Sequence, residues 1–155
     1  ALKTQIRARL AAVKARKRDF ADAMADMETL LRDNPKAVNL QVEAARILQR
    51  WGAKDPSKLS EAIRGTGTGE SAVVWGWGKI ANATMPHQQF RDTFFEARYE
   101  IAVCQLALAR TLQAGSRQKQ LEAARKTLEV TSKLYPDLGG EIWATKYQEL
   151  MRSVQ

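Results

Sequence analysis

Cysteine and histidine occur once each, as Cys104 and His87. One thiol cannot close an internal disulfide, and one Cys with one His provides no zinc-ligand spacing. The two could support nucleophilic chemistry only by meeting in space. The sequence predicts one helix over 87–113, on which they lie 17 residues apart, or about 25 Å, so they do not meet. Cys104 falls in that helix's apolar stripe and is expected in the core; His87 follows Pro86 at the helix start and is expected at the surface. No apolar run reaches the ~18 residues that a membrane span needs, and no signal peptide is visible. No segment alternates in the manner of a strand, so the fold class is all-α. The only low-complexity stretch, Gly65-Thr-Gly-Thr-Gly69, lacks the four-residue glycine spacing and the Gly-Lys-Ser/Thr ending of a phosphate loop. It is expected to be a flexible linker. Nothing here implies a cofactor, a metal or catalysis.

One sign of charge is missing from one place. Residues 1–18 contain Lys3, Arg7, Arg9, Lys14, Arg16, Lys17 and Arg18 but no acid. The other 137 residues carry 18 basic and 17 acidic side chains, so nearly all of the net charge of +8 belongs to one element. The nearest complement is the following segment, which begins at Asp19 and holds Asp22 and Asp26. Asp22, Asp26 and Asp33 themselves are most simply a solvated helix face. Other occupants of the cationic segment are nucleic acid, through Arg7, Lys14, Arg16, Lys17 and Arg18 with salt-dependent binding, an acidic protein, or an anionic membrane surface. Residues 1–18 contain no aromatic side chain, which argues against a stacking platform for single strands.

Helical periodicity covers most of the 155 residues, enough for one domain over 1–155. Helices are predicted over 2–17, 20–32, 37–50, 57–64, 71–84, 87–113, 117–134 and 141–153. Leu2, Ile6, Leu10 and Val13, at spacings of 4, 4 and 3, are expected to form the inward face of the first. Asp19 suits an N-cap, and Asp55-Pro56 marks a restart. In the third helix Val38, Val42, Ala45 and Ile47 or Leu48 point inward. Gly76 and Gly78 lie inside the predicted helix 71–84, each costing about 1 kcal/mol relative to Ala, and are read as sites of close packing. Phe90, Phe94, Ala97, Ile101, Cys104 and Leu108 form the stripe of 87–113, which Ala114-Gly115-Ser116 is expected to end. The last helix uses Ile142, Trp143, Tyr147, Leu150 and Met151.

A spacing recurs within this pattern. Phe20, Ala23, Met27 and Pro35 are matched by Leu121, Ala124, Leu128 and Pro136, offset by 101 residues, close to three periods of ~34. Small residues at Ala11, Ala45 and Gly78 are separated by 34 and 33. This pattern resembles the tetratricopeptide repeat family, in which each unit is a pair of antiparallel helices. Trp77-Gly78 is similar to that family's large-small pair, and Phe94 with Ala97 to its second-helix positions. The family's first-helix Trp is replaced by Arg7 and Gln41, and its Tyr by Lys14 and Leu48. The resemblance implies a right-handed helical repeat of three to four helix pairs with a C-terminal capping helix. It further implies a protein–protein interaction role, as adaptor or scaffold, with a peptide or partner held in the groove lined by first helices. On that basis Asn39, Val42, Arg46, Gln49 and Arg50 are expected to line the groove, with Trp75 and Tyr99 as further candidates. Arg46 and Arg50, one turn apart, could pair with a partner's carboxylates. Trp143 with Tyr147 could seal one end or join two chains. The chain opens on Ala rather than Met, which fits a processed form or a piece of something longer. A targeting segment would then lie outside it, leaving the compartment open between cytoplasm and periplasm.

Overall fold

The computed structural model describes residues 2–17, 19–69 and 72–155. Among these the regular structure is helical: α1 (Leu2–Arg16), α2 (Phe20–Asp33), α3 (Val38–Trp51), α4 (Ser57–Arg64), α5 (Gly76–Thr84), α6 (Arg91–Thr111), α7 (Ala114–Leu134) and α8 (Glu141–Ser153). The fold is all-α, with helices packed against their sequence neighbours as in a helical repeat. Among the described residues no helix is long and apolar enough to cross a membrane. The chain forms two compact units, 1–79 and 80–155, with the division inside α5.

In the first unit α1 packs on α2 and α3, α2 on α3, and α3 on α4. The contact is close because small side chains make it: Ala11, Ala15, Ala23, Ala44 and Ala45 are all buried, between Met27, Leu31, Ile47 and Leu48. Asp19 begins α2 with its backbone carbonyl, which accepts from Ala23 N, while its carboxylate makes no capping bond. Asp55 does cap α4, accepting from Ser57 N at 3.1 Å and from Ser57 Oγ at 2.6 Å. The Ser57 hydroxyl, chiefly, holds the Asp55 carboxyl below its ordinary pKa. Phe20 and Trp51 stack at 6.1 Å, and the Lys58 ammonium lies 4.5 Å from the Trp51 ring centre. One stack thereby ties α2, α3 and the start of α4.

The predicted helix 71–84 is shorter than its periodicity suggests. It begins at Gly76, and residues 73–75 run without helical bonds; Ser71 lies outside the described residues. The reason is Gln41, fully buried on α3. Its amide nitrogen donates to Pro35 O (3.1 Å) and Val73 O (3.0 Å), and its oxygen accepts from Trp75 N (2.8 Å). The segment leading into α5 thus bonds to a side chain instead of to its own next turn. The glycine-rich stretch is not a free linker either. Gly65 N donates to Glu61 O and Thr66 N to Val74 O, closing the loop onto its own far end.

In the second unit α6 and α7 form a hairpin, and α8 packs on both. A turn of 3₁₀ helix, Gln88–Phe90, precedes α6, so the predicted 87–113 helix is trimmed at both ends. The break after α6 falls at Leu112–Gln113 and not at Ala114–Ser116, which already belong to α7. Arg117 holds this break by donating from Nε to Ala109 O at 3.2 Å, satisfying a terminal carbonyl of α6. Phe94, Phe95 and Tyr135 meet edge to face. Tyr147, buried on α8, donates its hydroxyl to Phe95 O at 2.8 Å. Tyr147→Phe is therefore expected to cost about 1 kcal/mol in a urea titration. Ile142, expected inward, is one of the most exposed apolar side chains.

Cys104 is fully buried in the α6 stripe, and His87 is exposed, 6.2 Å from Phe90 edge to face. Burial first, and then the nearby Glu100 carboxylate, push the Cys104 thiol up to about 12. The thiolate is the species that alkylates. Iodoacetamide labelling at mildly alkaline pH is therefore expected to follow unfolding, with folded protein labelling far more slowly than the urea-denatured chain. Equal rates would contradict the burial.

Candidate interaction surface

The apolar stripe of α1 faces outward. Leu2, Ile6, Leu10 and Val13 are 70, 57, 52 and 43 % exposed, whereas the buried residues of this helix are Ala11 and Ala15. This reverses the expected orientation. The cause lies in what α2 and α3 offer: a tightly packed alanine-rich surface that accepts the small side of α1 and has no room for its large side. At ~100° per residue, the Leu-Ile-Leu-Val stripe sits on the far side of the helix from Ala11 and Ala15. Beside Leu10 an open groove of about 370 Å³ runs between α1 and α2, lined by Arg7, Leu10, Lys14, Asp26, Thr29 and Leu30.

The bases divide into two groups. Lys14 Nζ lies 2.6 Å from Asp26 and 2.9 Å from Asp22, so α1 and α2 are ion-paired as their charges suggested. Asp26, and then Asp22, hold the Lys14 ammonium above its ordinary pKa. Lys14 is thereby engaged within the fold and is not a free contact for a polyanion. Arg7, Arg16 and Lys17 are exposed, as are Lys3 and Arg9. Arg18 lies outside the described residues.

Of the α3 candidates, Asn39 and Arg50 are exposed and Arg46 is half-buried, its guanidinium 3.6 Å from Glu43 one turn away. These share a face. Val42 is core, inward as its periodicity requires and not at a groove. Gln49 is structural: its side-chain oxygen accepts from Nε1 of the fully buried Trp77 at 2.8 Å. Trp75 is half-buried with the Lys79 ammonium 5.1 Å from its ring centre.

Tyr99 belongs to the second unit. It lies 5.9 Å from Trp143 and 5.7 Å from Tyr147, so the aromatic pair of α8 docks on α6. Lys146 covers the Trp143 ring at 5.0 Å. Burial, then Glu100 and Glu149, raise the Tyr99 phenol above its ordinary pKa. Another apolar pocket in this unit, about 140 Å³, is lined by Met85, Phe94, Arg98, Val130, Leu134 and Tyr135, among others.

Sequence reasoning missed the stripe as a surface and Gln41 as a structural amide. The one signal for the stripe was alanine content. Ala8, Ala11, Ala12 and Ala15 mark a second, narrower face on α1, and a narrow face is the one that close packing selects. No protein-family model matches the chain, and neither a curated protein sequence nor a solved structure does.

Proposed function

We propose that the chain is a non-catalytic protein-interaction domain of the tetratricopeptide-like helical repeat type, and that its first unit supplies the binding surface. The observation that carries this reading is the outward stripe of α1, four large aliphatic side chains in the open beside a groove. Contiguous exposed apolar surface of this kind marks interaction sites. The repeat reading draws support from burial: Ala11, Ala23, Met27, Ala45, Ala124 and Leu128, six of the positions that carry the resemblance, are fully buried, while Leu121 and Gly78 are half-buried and Pro35 and Pro136 are exposed turn residues. The α3 face of Asn39, Arg46 and Arg50 would extend the surface.

The rival reading is a basic nucleic-acid module on residues 1–18. With Lys14 held by two aspartates, the remaining bases alternate with aliphatic side chains that a phosphate backbone would not use.

The test is a pull-down from the source cell's lysate with three proteins side by side: wild type, Ile6→Gln/Leu10→Gln and Arg46→Glu/Arg50→Glu. All four substituted sites have exposed or half-exposed side chains, so each variant should unfold within about 0.5 kcal/mol of wild type per site. Proteins kept by wild type and lost by the first variant support the α1 surface; loss with the second extends it to α3. Retention of nucleic acid alone, falling with salt and unaffected by Ile6→Gln/Leu10→Gln, would favour the rival.

A further inference from the structure

The outward face of α1 carries a heptad. With Ile6 and Val13 at d and Leu10 at a, the spacing is 4 and then 3, the seam of a coiled coil. The e positions are then Arg7 and Lys14, and the g positions after Leu2 are Arg9 and Arg16. Ala8, Ala11, Ala12 and Ala15 fall at b, c and f, the side turned to the fold. The helix thus packs by its back and leaves Ile6, Leu10 and Val13 facing solvent, with Lys3 at the preceding a position, Leu2 at the first g position and basic residues at the other e and g positions.

Building on the interaction reading, we propose that α1 is one strand of an intermolecular coiled coil and that its occupant is an acidic amphipathic helix of a partner protein. Such a helix carries aliphatic residues at a and d and Glu or Asp at e and g. The charges select it. Residues at e and g face a partner's e and g and decide which pairings are allowed. Arg9 and Arg16 on one flank and Arg7 on the other have no ion pair among the described residues, whereas Lys14 is already neutralised by Asp22 and Asp26. A second copy of α1 would set base against base at these flanks, so self-pairing through this seam is disfavoured. The groove beside Leu10 fits the same occupant. Leu10 and Leu30 contribute apolar lining, Arg7 is available there to a carboxylate, and the one acid of the lining, Asp26, is already paired with Lys14.

The probe is a fluorescein-labelled synthetic helix with Leu at a and d and Glu at e and g, compared with one bearing Lys at e and g, titrated against the full chain by anisotropy. The expected result is saturable binding of the Glu peptide that weakens as salt rises, and no binding of the Lys peptide. Arg9→Glu/Arg16→Glu should weaken the Glu peptide about tenfold or more and gain the Lys peptide. Ile6→Gln/Leu10→Gln should weaken the Glu peptide by a similar factor. The charge swap separates a specific seam from a merely damaged fold, because damage does not create a new partner. Equal binding of both peptides, or of neither, overturns the proposal. So does stripe-dependent dimerisation by sedimentation, or capture by phosphatidylserine vesicles with no peptide binding. A lysate partner lost in Ile6→Gln/Leu10→Gln but indifferent to Arg9→Glu/Arg16→Glu would leave the interaction reading standing and remove the acidic helix.

Discussion

Gly76→Ala is expected to lower the unfolding free energy by about 3 kcal/mol or more, as a drop in the urea midpoint. Gly76 sits at φ +72° where the chain enters α5, and a Cβ there would overlap Gly65 N and approach Ile63 O at 2.7 Å. The obstruction is backbone, so no rotamer change relieves it. Gly65 makes the reciprocal contact at φ +86°, with the Val74 carbonyl in the way of a Cβ. Gly65→Ala should therefore be comparably damaging. Gly69 supplies the control within the same loop. It also has a positive φ, +57°, but nothing lies within 4 Å of its Cβ position. Gly69→Ala should cost only the left-handed conformation, about 1–2 kcal/mol. If all three alanines behave alike, the two ends of the loop do not touch as described.

Gln41→Leu is expected to cost about 3 kcal/mol by the same measurement. The substitution is close in volume and leaves the core filled, yet it strands Trp75 N–H and removes the donor to Pro35 O and Val73 O. A buried group left unpaired costs about 1–3 kcal/mol, and relaxation or water entry will recover part of the sum. Gln41→Glu tests the direction of the bonds. A carboxylate could still accept from Trp75 N–H but would face two carbonyl oxygens, so it should also destabilise at neutral pH and improve as the pH falls and the acid becomes a donor. A Leu variant as stable as wild type would mean that the segment before α5 is held by packing alone.

These two sites also mark where the chain stopped being legible from its sequence. Helices bounded by strong local signals were placed almost to the residue. Asp55-Pro56 opened α4 and Gly140-Glu141 opened α8 at the expected positions, and both Leu134 and Ser153 closed helices where periodicity said they should. The misplaced boundaries depend on distant partners. The start of α5 is set by an amide 34 residues upstream on α3. The end of α6 is set by Arg117 reaching back to Ala109. Neither bond leaves a mark in the local pattern.

The candidate surface shows a different limit. Periodicity revealed that α1 has an apolar face, but not that its opposite, alanine-lined face is the one the fold packs. Orientation is decided by the neighbour, and α2 and α3 present their own small residues there. The charge pattern was more transparent. An acid-free first segment before an acidic helix points to ion pairing of Lys14 to Arg18 with that helix, which depends on residue types and proximity alone; among the described residues it is Lys14 that makes it, with Asp22 and Asp26. The α3 candidates divide because one stripe serves both core and surface: Val42 is in the interior, and the half-buried Gln49 is held by Trp77.

The central claim is that binding happens on the outward face of α1. Amide chemical-shift mapping of ¹⁵N-labelled chain during titration with the Glu-bearing helix tests it most directly. The account predicts saturable shifts confined to residues 2–17 and to the α2 residues 26–30 that border the groove. Shifts concentrated in α6, α7 or α8, or none at all at saturating peptide, would contradict it.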